Sequence, residues 1–184
     1  MKQLLQTILL GLSIGVSAGN LYENPGFETW NDSDDLPSSR QWRWGLPKGK
    51  QKAFERFARS TKEKFSGTAS LHLKDSDSGR SNSSLGFIIG GKEVKRYAGK
   101  VLYFSARVKQ ISASAPGTVG ISLFIKDADD KVVTVSAGVD ATGQTDWGLL
   151  KLKQPLPEST TLIIASLMCA NGFGNRGEAF FDDI

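Results

Sequence analysis

The sequence predicts an all-β protein, a two-sheet β-sandwich of the jelly-roll type. Short segments alternate apolar and polar residues, most clearly in Val101–Ile111, and a two-residue period is typical of a strand with one buried face. Clusters of Gly, Asn, Asp and Ser separate these segments at nearly regular spacing, as turns do in sandwiches. No long segment has the period of an amphipathic helix, so about ten strands are expected.

In the N-terminal half, the expected strands alternate with polar loops. Asn31–Arg40 is rich in Asp and contains a Leu-Pro pair, which predicts a loop. Periodicity alone fits Ala53–Arg59 to a short helix or a strand, and we assign it as a strand. Ser66-Gly67 predicts a turn before the next strand. The expected strands of this half are Leu21–Thr29, Gln41–Gly45, Ala53–Arg59, Ala69–Lys74 and Leu85–Ile89.

In the C-terminal half, the alternation places Phe104 and Val108 toward the core and Tyr103 and Arg107 on the opposite face. The next segment repeats the alternation and leads through an Asp-rich turn at Asp127–Asp130 into another strand, which predicts a hairpin. The expected strands of this half are Val101–Ile111, Val119–Lys126, Val132–Val139, Trp147–Lys153, Leu162–Ala170 and Glu178–Ile184.

Residues 1–18 have the pattern of a cleaved signal peptide. Lys2 precedes an apolar stretch from Leu4 to Val16, and small residues follow at the cleavage position. The stretch is too short to span a bilayer comfortably, which disfavours stable membrane insertion. We therefore expect a secreted or extracytoplasmic protein in which residues 19–184 form a single domain, large enough to bury a core.

Charge and cysteine content narrow the class of protein further. Without Lys2 the chain carries 22 basic and 19 acidic residues, with the excess concentrated between Arg40 and Lys64. No nucleic-acid motif accompanies these residues, so a nucleic-acid partner is not expected, while an anionic glycan stays open as a ligand. The single cysteine, Cys169, lies in an apolar run and is expected to be buried.

Several motifs, in order, give the chain a family resemblance. They are Asn24-Pro25-Gly26-Phe27-Glu28, Ser66-Gly67-Thr68-Ala69-Ser70-Leu71, Tyr103-Phe104-Ser105-Ala106-Arg107-Val108-Lys109, Asp146-Trp147 and Phe181-Asp182-Asp183-Ile184. In this order and spacing the chain resembles the galactose-binding-like jelly rolls of carbohydrate-binding module families 4, 9, 16 and 22. Two features depart from these families: a basic insertion at Lys48–Lys64 and an early stop at Ile184, which suggests a truncated C-terminus.

The resemblance implies a non-catalytic module that binds a polysaccharide or oligosaccharide chain on one sheet face, appended to or acting beside a carbohydrate-active enzyme. It also implies a structural calcium near the joined chain ends, with Glu28 and Asp183 as ligands and Asp182 and the Ser66-Gly67 turn as weaker contributors. Calcium takes six to eight oxygen ligands, which carboxylates and carbonyls supply. The alternative is that the two aspartates end a strand and cap a turn.

Sugar binding calls for aromatic platforms beside planar hydrogen-bonding groups. On the outward strand faces, the candidates are Tyr103, Arg107 and Phe124, and in a separate strand-like segment they are Trp42 and Trp44. The alternative for each tryptophan is a place in the core.

Two rival functions stay open. A structural or adhesion domain of a surface protein would show a contiguous apolar patch, and a jelly-roll polysaccharide lyase or hydrolase would need a cleft with perturbed titratable groups. The only histidine, His72, has no neighbouring nucleophile motif and is expected to be a surface residue.

Overall fold

The part of the chain that the structure describes forms two five-stranded antiparallel sheets and one two-stranded ladder. The computed structural model describes residues 24–31, 36–37, 42–44, 57–75, 84–169 and 175–184, with the backbone alone at 31, 36–37 and 42–44. The expected signal peptide lies outside these residues. The strands are β1 (Trp30–Asn31), β2 (Leu36–Pro37), β3 (Trp42–Trp44), β4 (Phe57–Ser60), β5 (Ser70–Lys74), β6 (Ser84–Gly90), β7 (Val101–Ala113), β8 (Gly120–Asp127), β9 (Val132–Gly138), β10 (Gly148–Pro155), β11 (Thr160–Met168) and β12 (Gly177–Asp182), and one short helix, α1, spans Gly91–Val94.

The first sheet has the strand order β10-β7-β12-β5-β4. Its long strand β7 alternates as predicted: Phe104, Ala106 and Val108 are buried, whereas the residues between them face outward. The C-terminal strand β12 lies between β7 and β5, with Phe181 opposite both Val108 and Leu71. The sheet therefore pairs the last strand of the chain with strands that come much earlier in the sequence.

The second sheet has the strand order β3-β6-β11-β8-β9. Ile121, Leu123 and Ile125 of β8 are buried against the first sheet. The predicted hairpin is confirmed, because β8 and β9 pair antiparallel. In its turn, the Asp127 side chain accepts hydrogen bonds at 2.9 Å from the backbone N–H groups of Asp129 and Lys131. Such Asx-type bonds stabilise a tight turn.

The core lies between the two sheets, where large apolar side chains from both interdigitate. Cys169 is fully buried there, as expected, and its Sγ lies 3.3 Å from the carbonyl oxygen of Leu73. Burial raises the pKa of the Cys169 thiol well above its ordinary value, with the negative charges of Asp75 and Glu178 adding to the effect.

Three assignments of secondary structure differ from the sequence-based expectation. Residues 24–29, expected as strand, form a turn in which Phe27 N–H donates to the Asn24 carbonyl and the Asn24 side chain bonds twice with Thr29. In the expected loop Asn31–Arg40, Asn31 pairs with Leu36, and the two-residue ladder also pairs Trp30 with Pro37. Helix α1 was not expected at all. Local side-chain bonding explains the first difference, since Asn competes for backbone partners that a strand would use.

No helix among the described residues is long and apolar enough to cross a membrane.

Candidate functional site

The outer face of the first sheet presents the side chains of β7 and β10 that point away from the core. Tyr103 is the most exposed of its large apolar residues, at 70%. Across the β7–β10 ladder it stands opposite Lys153, whose Nζ lies 5.6 Å from the ring centroid. Ser105 stands opposite Lys151, and Arg107 opposite Leu149. The predicted placement of Tyr103 and Arg107 on one outward face is therefore confirmed.

An aromatic cluster surrounds Arg107 on this face. The guanidinium carbon of Arg107 lies 4.2 Å from the Phe65 ring centroid, within cation–π range. The Phe65 ring meets Trp147 edge to face, with 6.0 Å between centroids. Phe65 is 42% exposed. We call Tyr103, Arg107, Phe65 and Trp147 the aromatic strip.

Phe65 reaches the strip because the segment Thr61–Thr68 crosses the sheet face. The buried carboxylate of Asp182 accepts hydrogen bonds from Phe65 N at 2.8 Å and Ser66 N at 3.1 Å through Oδ2, and from Asp183 N at 2.9 Å through Oδ1. Burial nevertheless raises the pKa of Asp182, since loss of water outweighs these donors. A second bond, from Lys109 Nζ to Glu63 Oε2 at 2.6 Å, holds the start of the segment.

Farther along this face, the polar groups of β5 and β12 bond to one another. His72 lies 2.9 Å from Glu178 and its ring stacks on Phe180 at 4.5 Å, and Lys74 lies 3.1 Å from the same carboxylate. Burial acts to raise the pKa of Glu178, but the hydrogen bonds from Lys74 and His72 outweigh it and leave the pKa below its ordinary value. His72 is thus a half-buried surface residue in a local network.

The predicted cation site lies where the first described residues meet β12. Ile184 N donates to the Pro25 carbonyl at 2.9 Å, which brings Glu28 and Asp183 to the same turn. A Cβ placed on Gly26 would lie 3.5 Å from Glu28 Oε1 and 3.7 Å from Asp183 Oδ1. The two carboxylates therefore border one position.

Neighbouring groups already hold these carboxylates in place. The hydroxyl of Thr68 donates to Glu28 and is the main cause that lowers the pKa of Glu28, against burial and together with the backbone N–H groups of Thr68 and Ala69. Ser66 Oγ donates to Asp183 Oδ1 at 2.7 Å. Both Phe27 and Asp183 have positive φ, at 54° and 44°, a conformation that costs free energy for residues other than glycine.

Asp182 makes a different set of contacts from Glu28 and Asp183, and its expected contribution to the cation site stays a prediction. Both its oxygens are taken by backbone N–H groups of the crossing segment and of Asp183. No three His, Cys, Asp or Glu side chains converge as metal ligands in the described part of the chain. Two carboxylates at the turn fit a calcium ion only if backbone or hydroxyl oxygens complete the shell.

The structure separates Phe124 from Tyr103 and Arg107. Phe124 points outward from the second sheet, on the opposite side of the sandwich, in a cross-strand row with Ile164, Ile88 and Thr134. Trp42 and Trp44 pair through their backbones with Phe87 and Leu85 in that same sheet, while their side chains lie outside the described residues. The predicted candidates therefore belong to two faces.

Comparison with known proteins gives matches in structure alone. No family model and no curated protein matches the chain. A xylan-binding domain of carbohydrate-binding module family 22 superposes with a TM-score of 0.55 at 16% identity, covering 91% of this chain and 96% of that one.

Two further matches are parts of larger chains. The family 22 module with its GH10 module from endo-1,4-β-D-xylanase 10B of Clostridium thermocellum, complexed with xylohexaose, has a TM-score of 0.53 at 16% identity, over 86% of this chain and 26% of that one. The enzymatically active domain of tailspike protein 4 of bacteriophage CBA120 has a TM-score of 0.53 at 12% identity, over 88% and 20%. These likenesses confirm the expected jelly-roll sandwich, and identities this low establish fold without function.

Proposed function

We propose that this protein is a secreted, non-catalytic carbohydrate-binding module that binds a polysaccharide chain along the aromatic strip. The observation that carries the proposal is the position of Tyr103, which is 70% exposed on the outer sheet face that also holds the Arg107–Phe65–Trp147 cluster. The fold shared with carbohydrate-binding modules supports it, and the signal-peptide pattern at residues 1–18 supports secretion.

The chemistry of the strip suits a sugar chain. The C–H faces of a sugar ring pack on the Tyr103 and Phe65 rings, and the Ser105 hydroxyl and nearby lysines supply hydrogen bonds to hydroxyl groups. A shallow surface orders a flexible ligand at an entropic cost, so dissociation constants of roughly micromolar to millimolar are expected.

The test is titration calorimetry of the mature chain against a panel of soluble polysaccharides, supported by affinity gels. Tyr103→Ala is expected to weaken binding at least 10-fold while leaving the unfolding midpoint unchanged. Phe124→Ala is the matched control, since it removes an outward aromatic ring from the opposite sheet. Loss of binding in Phe124→Ala with no effect of Tyr103→Ala would move the site to the second sheet, and failure of the folded protein to bind any glycan would refute the function.

We also propose a structural calcium held by the carboxylates of Glu28 and Asp183. Support comes from their position on either side of Gly26 and from the positive φ of Asp183. A bound cation would neutralise two adjacent negative charges and join the N-terminal turn to the end of β12. Asp182 is left outside the ligand set because it holds the crossing segment.

Thermal unfolding with calcium and with a chelator tests this proposal. A ligand at 100 times its dissociation constant stabilises the native state by about 2.7 kcal/mol, so calcium should raise Tm by several degrees and magnesium should raise it less. The double variant Glu28→Gln, Asp183→Asn should lose the calcium response. The idea fails if calcium leaves the wild-type Tm unchanged.

A second candidate function is that of a structural or adhesion domain. The observation that favours it is the outward row of Ile88, Ile164 and Phe124 on the second sheet, where Ile88 is 38% exposed. Catalysis is the third alternative. Assays for new reducing ends and for unsaturated products, run on every polysaccharide that binds, distinguish a lyase or hydrolase from a binding module.

A further inference from the structure

Two lysines on β10 stand outward beside the aromatic strip without a carboxylate partner among the described residues. Lys151 and Lys153 are exposed, and the Lys153 ammonium group lies 5.6 Å from the Tyr103 ring centroid. By contrast, two lysines on other strands of the same sheet each have a carboxylate partner. Lys109 bonds to Glu63 at 2.6 Å, and Lys74 lies 3.1 Å from Glu178. Lys151 and Lys153 therefore add positive charge at the β10 edge of this face, next to the strand that carries Arg107.

The connection that leads into β7 adds further positive charge at the Tyr103 end of the strip. The Lys100 carbonyl accepts a hydrogen bond from Leu156 N at 2.8 Å, so this segment adjoins the end of β10. Lys100 is exposed and is the basic residue of this segment that the bond places at β10. Lys92, Lys95 and Arg96 lie in or just after helix α1, which packs against β6 and β11 of the second sheet. Lys100, Lys151 and Lys153 are thus three cations at this edge of the first sheet, with the Glu158 side chain beside Gly99 as the nearby carboxylate.

The combination of an exposed ring and cations without a carboxylate partner favours one ligand class. A neutral sugar chain would use the Tyr103 ring and accept hydrogen bonds from the ammonium groups, but it would leave their positive charge without a counter-charge. A chain that carries carboxylates can place a sugar face on the ring and its charge beside Lys151 or Lys153, which lie on the strand next to that of Tyr103. Each ammonium group offers three hydrogen-bond donors and a point charge to such a group.

We infer that the polysaccharide is acidic, a polymer that contains uronic acid residues, with its sugar rings on Tyr103 and its carboxylates at Lys151 and Lys153. This inference rests on the proposed function and names its ligand class. It predicts an affinity that falls with added salt, because exposed charge pairs are screened over about 10 Å at 0.1 M ionic strength.

The test compares polygalacturonate with the same polymer after chemical reduction of its carboxyl groups, each titrated into the folded mature chain at low and high salt. We expect wild type to bind the acidic polymer at least 10-fold more tightly at low salt. The double variant Lys151→Gln, Lys153→Gln should lose roughly 3- to 20-fold in affinity for it. Lys131→Gln, an exposed lysine in the hairpin of the second sheet, is the matched control and should bind as wild type does.

The outcomes separate the inference from the function on which it rests. Equal affinity for the acidic and reduced polymers overturns the inference and leaves the proposed function standing. If neither polymer nor any neutral glycan binds, both fail. Binding of single-stranded DNA or anionic lipid vesicles as tight as that of polygalacturonate, with the same loss in the double lysine variant, also overturns the inference, because charge alone would then explain it.

Discussion

The guanidinium group of Arg107, on strand β7, packs against the ring of Phe65, which belongs to a segment that crosses the sheet face. The backbone of Phe65 is in turn held by the Asp182 carboxylate on the adjacent strand β12. The crossing segment is thus part of the face. Its position depends on one stacked ring and one buried carboxylate.

Removal of the stacking partner should loosen the segment. Arg107→Ala is expected to destabilise the protein by about 0.5–1 kcal/mol, since it removes a cation–π contact at a partly exposed site. Trypsin should then cleave faster at Lys62 and Lys64, both of which are exposed. Urea denaturation and timed native-state proteolysis measure these effects. Arg176→Ala, at another exposed arginine, should change neither, and equal cleavage rates in all three proteins would contradict the prediction.

Replacement of the buried carboxylate should have a larger effect. Asp182→Asn leaves one carbonyl oxygen for three N–H donors and turns an NH₂ group toward one of them, so a loss of about 1–3 kcal/mol in the free energy of unfolding is expected. Asp183→Asn is the comparison, because Asp183 accepts a single hydroxyl bond in the described contacts. Without calcium, Asp183→Asn should lower the free energy of unfolding by less than Asp182→Asn does. The same denaturation experiment measures both.

Gly67 is predicted to resist substitution for two separable reasons. Its φ is 58°, and a Cβ there would collide with the Glu28 carboxylate. Gly117 has a φ of 76°, and a Cβ on it would meet nothing within 4 Å, so Gly117→Ala reports backbone strain alone, about 1–2 kcal/mol. Gly67→Ala should cost more than Gly117→Ala. Adding Glu28→Ala should recover the excess, and an equal cost at both glycines would show that the carboxylate moves aside freely.

The carboxyl groups of Glu28 and Asp182 should contribute to the free energy of unfolding with opposite dependence on pH. The folded-state pKa of Glu28 lies below its ordinary value of 4.5, so its contribution is present above pH 4.5 and is lost as pH falls through the folded pKa. The folded-state pKa of Asp182 lies above its ordinary value of 3.8. The native state therefore binds this proton more readily than the unfolded state does. The resulting stabilisation of the native state is present at low pH and is lost as pH rises through the folded-state pKa.

Free energies of unfolding measured from pH 3 to pH 7 test these signs. The difference between wild type and Glu28→Gln should shrink as the solution is acidified, whereas the difference between wild type and Asp182→Asn should grow. Parallel curves for both variants would contradict the assignment of the shifts to these residues.

The thiol of Cys169 should be inert in the native protein. It is fully buried, and burial raises its pKa, so little thiolate forms and reagents cannot reach it. A disulfide reagent at pH 8 should therefore modify one thiol in denaturant and essentially none in buffer. Rapid modification of the folded chain would show that the sandwich opens readily at Cys169, just beyond β11.

Strand patterns allowed most of the fold to be predicted, because alternation reports burial directly. Val101–Ile111 and Val119–Lys126 each place one set of side chains inward as expected. Alternation does not report which sheet a strand joins. Tyr103 and Phe124 are both outward residues, yet they lie on opposite sides of the sandwich because β7 and β8 belong to different sheets.

The candidate site was harder to predict, because it depends on contacts between segments that are distant in sequence. Phe65 lies in a polar segment with no strand pattern, and it reaches the strip through backbone bonds to Asp182, a residue near the other end of the chain. The pair Asp182 and Asp183 looked equivalent in sequence. Their carboxylates point to different places because Asp183 leaves the strand with a positive φ. Long-range contacts of this kind leave no local pattern.

The central position of β12 in the first sheet also has a consequence for biosynthesis. Its neighbours β5 and β7 precede it in the chain and meet through it, so a nascent chain that has not yet exposed residues 177–182 outside the ribosome carries two separate strand pairs with unpaired edges. Such edges invite pairing with other chains, and the distance in sequence between β5 and β12 slows closure of the sheet. Folding of this half of the sandwich must therefore wait until its middle strand has been synthesised.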